Sequence, residues 1–218
     1  MKTAIRIQAK DSLIATSLIL FALFAAGQQN GNSDDFHWDS HKCQELSWKQ
    51  SVSRLRLPPA LEADIIETIV EQVQEGESDD DPQPETELRR IARETRVAFV
   101  DLTGRGGNEV IAQGGGEKSG CNPTGNCPLW VLRRQRDGYH VILDAVSAQT
   151  FTIQPTRTNG FNDLVLAMHG GAFDSELRLY KFDGSRYTQA GCFEARWEIV
   201  DQPGNAQHLK EPRLSRCS

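Results

Sequence analysis

Apolar side chains recur along this chain at two different periods, and the change of period divides it. Leu61, Ile65, Ile66, Ile69, Val70 and Val73 stand three or four positions apart, with aspartate and glutamate on the other face. Pro58-Pro59 precedes this stretch and Gly76 follows it, so the pattern predicts one amphipathic helix with a proline start and a glycine stop. Glu77 to Pro84 is an acidic, proline-bearing linker, and a short second helix is expected over Glu85 to Arg93. From Thr95 onward the period shortens to two, in brief runs broken by glycine-rich turns. Strands are expected near Arg96–Leu102, Glu109–Gln113, Leu129–Arg134, His140–Asp144, Thr150–Gln154, Asp163–Met168, Glu176–Phe182 and Tyr187–Phe193. Leu177, Leu179 and, across a hairpin, Tyr187 are expected to share one buried face.

Two of the connections carry Asp-Gly, at Asp137-Gly138 and Asp183-Gly184. Both residues tolerate positive φ, so each pair predicts a hairpin. The eight strands also read as two copies of one four-strand unit. Gly106 to Ile111 matches Gly160 to Val165 at an offset of 54, and an apolar strand with an Asp-Gly hairpin follows each. Units with one apolar face must share a core, with Gly106 and Gly160 in equivalent turns at one edge and loops rather than a deep cavity as the accessible surface. The expected fold class is therefore α+β: an N-terminal helical segment packed on a mostly antiparallel β domain of two similar four-strand repeats.

The amino-terminal region has another character. Lys2, Arg6 and Lys10 flank an uncharged apolar run from Leu13 to Ala26, and Ala25-Ala26-Gly27 supplies small residues for a signal peptidase. This layout predicts a secretory signal over residues 1–27, with the mature chain beginning near Gln28. The run is short for a membrane span, which needs about 20 apolar residues. Residues 28–57 then form a polar leader, 58–94 the helical segment, 95–200 the β domain and 201–218 a C-terminal tail. The first 27 residues carry three basic groups and one acid, so their loss takes the net charge from −6 to about −8. Apart from two short arginine pairs there is no basic cluster, and an acidic surface disfavours nucleic acid.

Export places all five cysteines, Cys43, Cys121, Cys127, Cys192 and Cys217, where disulfides persist. Cys121 and Cys127 frame the turn-rich Asn-Pro-Thr-Gly-Asn and are expected to pair locally. Cys192 is left with either Cys217 or Cys43 as its partner.

The segment Val100-Asp101-Leu102-Thr103-Gly104-Arg105-Gly106-Gly107-Asn108-Glu109-Val110-Ile111 resembles the loop of FG-GAP or VCBS-type repeats. In that family an Asp-rich turn between two strands of a propeller blade often binds calcium. The chain also resembles uncharacterised exported bacterial proteins in which a cysteine-framed Pro-Thr-Gly-Asn loop precedes a Trp-containing strand, here Cys121 to Trp130. Two units cannot close a propeller ring, so a compact two-repeat sheet or sandwich is expected instead. Asp101, Thr103, the Gly107 carbonyl and Glu109 have suitable spacing for calcium ligands. Arg105 stands where a ligand would be needed, and Pro155 and Arg157 occupy the matching acidic positions of the second copy, so a degenerate loop without a cofactor is expected.

Other motifs weaken on inspection. Gly114-Gly115-Gly116-Glu117-Lys118-Ser119 lacks the glycine that a phosphate loop requires before its lysine, and no helix pattern follows. His37, His41 and Cys43 share metal-ligand chemistry without a completing fourth group. No Gly-x-Ser-x-Gly elbow exists, and His140, His169, Asp163 and Asp174 have no partner that spacing identifies. Trp130 and Trp197 suit a core better than a sugar platform. These readings point to an exported, non-enzymatic binding or structural module for a protein or glycan partner. A secreted hydrolase with a loop-built site and a calcium-stiffened adhesion-type domain are the alternatives.

Overall fold

A computed structural model of the protein describes residues 36–75, 82–107, 109–200, 208–209 and 211–217. The expected signal peptide, residues 28–35 of the leader and most of the acidic linker lie outside the described residues. The expected helices form as α1 (Pro59–Glu75) and α2 (Glu85–Glu94). Eight strands follow: β1 (Arg96–Val100), β2 (Glu109–Gln113), β3 (Cys127–Gln135), β4 (Gly138–Ala148), β5 (Thr150–Thr158), β6 (Phe161–Gly171), β7 (Asp174–Phe182) and β8 (Tyr187–Arg196). Short β9 (Ile199–Val200) pairs with β10 (His208–Leu209), and β11 is Arg213–Arg216. No helix among the described residues is long and apolar enough to cross a membrane.

All strand pairs are antiparallel, and the eight strands divide into two sheets. The first has the order β1-β2-β3-β4 and the second β11-β8-β7-β6-β5. Gln149 alone separates β4 from β5, so the chain changes sheets at one corner. That corner is tied down twice: the Gln149 amide donates to the Ala167 carbonyl at 2.8 Å. The buried Gln113 side chain also donates to the carbonyls of Ala148 and Gln149.

Three apolar clusters stack in series. The helices bury Ile65, Ile66, Ile69, Leu88 and Ala92 against Val97, Val110, Ala112, Trp130, Leu132 and Tyr139 on one face of the first sheet. Its other face meets the second sheet, with Ile111, Leu129, Val131 and Leu143 against Leu164, Leu166, Tyr180, Phe182 and Tyr187. The far face of the second sheet, with Val165, Ala167, Leu177, Phe193 and Ala195, is covered by Trp38 and Phe36. Strand β2 is consequently buried at all five positions, because both of its faces are covered.

Tyr187 departs from the expected face. The hairpin register pairs it with Phe182, while Leu177 pairs with Phe193, so Tyr187 faces the first sheet and Leu177 faces away from it. Residues 36–57, grouped with the polar leader on composition, lie against the domain. Gln44 exchanges both backbone hydrogen bonds with Phe151, and Leu46 and Val52 are fully buried. The C-terminal tail is also integrated, since β11 extends the second sheet and Cys217 is bonded to Cys192. The Cys121–Cys127 bridge forms as expected, which leaves Cys43 as the free thiol, half-buried beside the Thr152 hydroxyl.

Candidate functional site: an arginine-lined cleft between two turns

The connection between β1 and β2 folds around a single carboxylate. Asp101 Oδ1 accepts from the amides of Thr103, Gly104, Arg105 and Gly107 and from the Thr103 hydroxyl, at 2.7 to 3.3 Å. Its Oδ2 accepts from the Gly106 amide at 2.8 Å. Glycine is required here because residues 104 and 106 have φ of +65° and +76°, which side chains rarely adopt. The Gly106 amide, helped by the Thr103 hydroxyl and the Gly107 and Gly104 amides, holds the Asp101 carboxyl well below the usual carboxylate range.

Of the four residues with calcium-ligand spacing, the structure places Asp101 and Thr103 together through this network. Gly107 contributes its amide to Asp101. Glu109 is 3 % exposed, and its Oε2 accepts from the buried Leu102 amide at 3.1 Å. A side chain at position 107 would collide with that carboxylate. Amides and a hydroxyl therefore already occupy the oxygens that a cation would use.

Leu102 follows as a wedge. Fully buried, it joins the cluster between the sheets, and its carbonyl accepts from the Asn162 amide of β6 at 2.7 Å. Arg157 of β5 lies over Gly104 and donates to the Thr103 carbonyl at 2.9 Å. The second sheet thus clasps the loop of the first.

The β5–β6 connection is a two-residue turn, Asn159-Gly160, with both residues at positive φ. It reaches the same edge of the molecule as the Asp101 loop. It is not an equivalent turn, however, because eight residues join β1 to β2. Between the two connections lies an open cleft of about 510 Å³. Arg105 and Gly106 line one side, Asn159 and Phe161 the other, and the end of β3 borders it with Arg133, while Arg134 pairs with Tyr139 on the helix-covered face. The Arg133 guanidinium rests on the Phe161 ring, 4.9 Å from its centroid, which fixes its position by cation–π attraction and leaves its edges available. Among the described residues, Arg105, Arg133 and Arg134 make no salt bridge, whereas Arg89, Arg90, Arg178, Arg186, Arg196 and Arg213 each face a carboxylate.

The arginine pair 133–134 is visible in the sequence, but the meeting of Arg133 with Arg105 depends on β3 ending beside a loop that starts from a different strand. Three other sequence candidates lie elsewhere. His140 donates through Nε2 to the Asp137 carboxylate at 2.9 Å in its own hairpin. The His169 backbone is clamped by the Asn126 side chain, which donates to its carbonyl and accepts from its amide. Gly114 to Ser119 ends in a short 3-10 turn, with Lys118 bound to Glu87 of α2 at 2.9 Å. Trp130 is buried beneath the helices, and Trp197 packs edge-on against Trp38. The exposed tryptophan is Trp48, flanked by the cations of Lys49 and Arg54, in a segment whose pattern predicted no element.

No family model, curated protein or solved structure matches the chain.

Proposed function

We propose that the protein is an exported, non-enzymatic binding module whose recognition surface is the cleft between the Asp101 loop and the Asn159-Gly160 turn. The observation that carries this reading is the meeting of two connections, one from each sheet, beside guanidinium groups that make no salt bridge among the described residues. Arginine is recognition chemistry, and the one carboxylate at the cleft floor is committed to the Leu102 amide. The Cys121–Cys127 and Cys192–Cys217 bridges support an extracytoplasmic location, periplasmic or secreted, and so does the charged, apolar and small-residue layout of the first 27 residues.

Within this reading the two four-strand units are blade-like repeats stacked in the same sense, in keeping with the FG-GAP/VCBS resemblance. The 54-residue offset pairs Val110, which faces the helices, with Leu164, which faces the first sheet. It likewise pairs Ile111, which faces the second sheet, with Val165, which faces Trp38. Equivalent faces thus point the same way along the stack, as in neighbouring blades, and the helices and the N-terminal segment cover the two ends.

Hydrogen exchange on the full chain, incubated separately with the polysaccharide and protein fractions of the producing organism's envelope, tests the binding role. Protection confined to residues 103–107 and 159–161 with one fraction is the expected result. Turnover of ester, glycoside or phosphate substrates that disappears on Arg105→Ala would transfer the site to the hydrolase alternative.

A further inference from the structure

Resting on the binding-module reading, we infer that the cleft recognises a carboxylate-bearing saccharide, a uronic-acid unit of an acidic glycan. Three features of the cleft favour this chemistry.

The first is charge. Arg105 and Arg133 meet at the cleft without a salt-bridge partner among the described residues, on a chain whose net charge is −6. The local field attracts an anion while the remainder of the surface repels a long, densely charged polymer, so the fit is to one or two acidic units. A guanidinium presents a planar fork of donors that matches a carboxylate, and Phe161 beneath Arg133 holds that fork ready.

The second is what lies between the cations. The Thr103 hydroxyl donates to Asp101 and the Asn159 side-chain nitrogen to the Phe182 carbonyl. This leaves the loop backbone at Gly106 and Gly160 and the Asn159 side-chain carbonyl as neutral polar groups exposed in the cleft. They match the hydroxyl groups that flank the carboxylate in a sugar acid. The cleft, at about 510 Å³, also falls within the roughly 300–1,000 Å³ typical of small-ligand sites.

The third feature separates a saccharide from an acidic peptide. A peptide gains most from a free strand edge, where its backbone can extend a sheet. The cleft walls are turns and the ends of β2, β3 and β6, and these three strands are interior to their sheets. Backbone pairing is therefore closed to a ligand in this position.

Calorimetric titration of the full chain, with both disulfides intact and at low salt, decides the matter. The probes are trigalacturonic acid, its methyl ester, sodium acetate and an aspartate-rich hexapeptide. The acid trisaccharide is expected to bind at about 1 mM or tighter, and the other three probes at least about tenfold more weakly. The ester loses the bidentate charge pair, acetate lacks the flanking hydroxyls, and the peptide finds no strand edge open to it. Arg105→Ala and Arg133→Ala should each weaken the trisaccharide about fivefold or more, and Arg133→Lys should not restore it, because a lysine lacks the fork. Arg93→Ala, on the exposed side of α2, should leave binding unchanged. Among the described residues the Arg105 side chain has no hydrogen-bond or salt-bridge partner, so its variant reports on binding rather than on folding. Equal affinity for the ester or for acetate overturns the proposal in favour of a nonspecific or simple-anion site. Tighter binding of the peptide, or no binding of any probe, also overturns it. If protection by an envelope fraction persists while the trisaccharide fails, the ligand class falls and the binding role stands.

Discussion

At Asp101 one carboxylate organises an eight-residue connection, and its charge is what makes the loop stable. The Gly106 amide and its neighbours lower the Asp101 pKa in the folded state, so the folded protein binds this proton less readily than the unfolded chain does. The stabilisation is fully present above the unfolded value of about 4 and is lost as pH falls below it toward the depressed folded value. Asp101→Asn is therefore expected to lower the melting temperature at pH 7, with the gap from the parent protein narrowing below about pH 3. A gap that widens on acidification would contradict this account. Calcium would have to displace the same amides, so calorimetry of the parent protein should show no sub-millimolar calcium binding. Glu109 offers a second check. Its carboxylate satisfies the buried Leu102 amide, so Glu109→Ala should cost about 1–3 kcal/mol in denaturant unfolding. Glu109→Gln keeps an acceptor and should cost less.

Helix α1 shows how an element's pattern turns into packing. Its apolar stripe buries Ile65 and Ile69 almost completely against the first sheet and α2, and the Thr68 hydroxyl returns a hydrogen bond to the Asp64 carbonyl. On the outer surface Arg89 of α2 donates to Glu67 at 2.7 Å and to Glu85 at 2.9 Å. These surface pairs contribute little compared with the buried stripe. Ile69→Ala should therefore destabilise the protein by about 2–5 kcal/mol, whereas Arg89→Ala should cost under about 1 kcal/mol, both read from the midpoint of urea unfolding. The cysteine-framed connection before β3 has a comparable anchor, since Asn126 spans to the His169 backbone of the second sheet. Asn126→Ala leaves that peptide group without its partner and should cost about 1–3 kcal/mol by the same measurement.

At the scale of the whole molecule, layers are closed by segments distant in sequence. The second sheet would present an open apolar face without Phe36 and Trp38, and its edge strand β8 is covered by β11. The Cys192–Cys217 bridge secures that last strand across 25 residues, against 6 for Cys121–Cys127. Loop-closure entropy then assigns about 3.5 kcal/mol to the longer crosslink and about 2.2 kcal/mol to the shorter. Replacing Cys192 and Cys217 together by serine should lower stability by about 1 kcal/mol more than the matching change at Cys121 and Cys127. Hydrogen exchange should then show faster opening at residues 213–216. Equal losses for the two pairs would mean that strand pairing alone holds the tail.

The sequence by itself determined the elements whose signals are local. The 3.6-residue stripe gave α1, the two-residue alternation located all eight strands though β4, β5 and β6 run four to six residues longer than expected, and Asp-Gly marked both hairpins, because each signal acts within a few residues of itself. The short disulfide was legible for the same reason: five residues of turn-forming chain between the cysteines bring their sulfurs together without help from the fold. Tertiary structure decided everything that depends on separation. Which face Tyr187 presents follows from hairpin register, and whether Trp38, Leu46 and Val52 are buried follows from sheets formed a hundred residues later. The partner of Cys192 was open between two candidates until β11 ran beside β8. The arginine cleft belongs to this second class. Arg105, Arg133 and Asn159 carry no shared spacing, and they converge only because a connection from each sheet and the end of β3 reach the same edge of the stack.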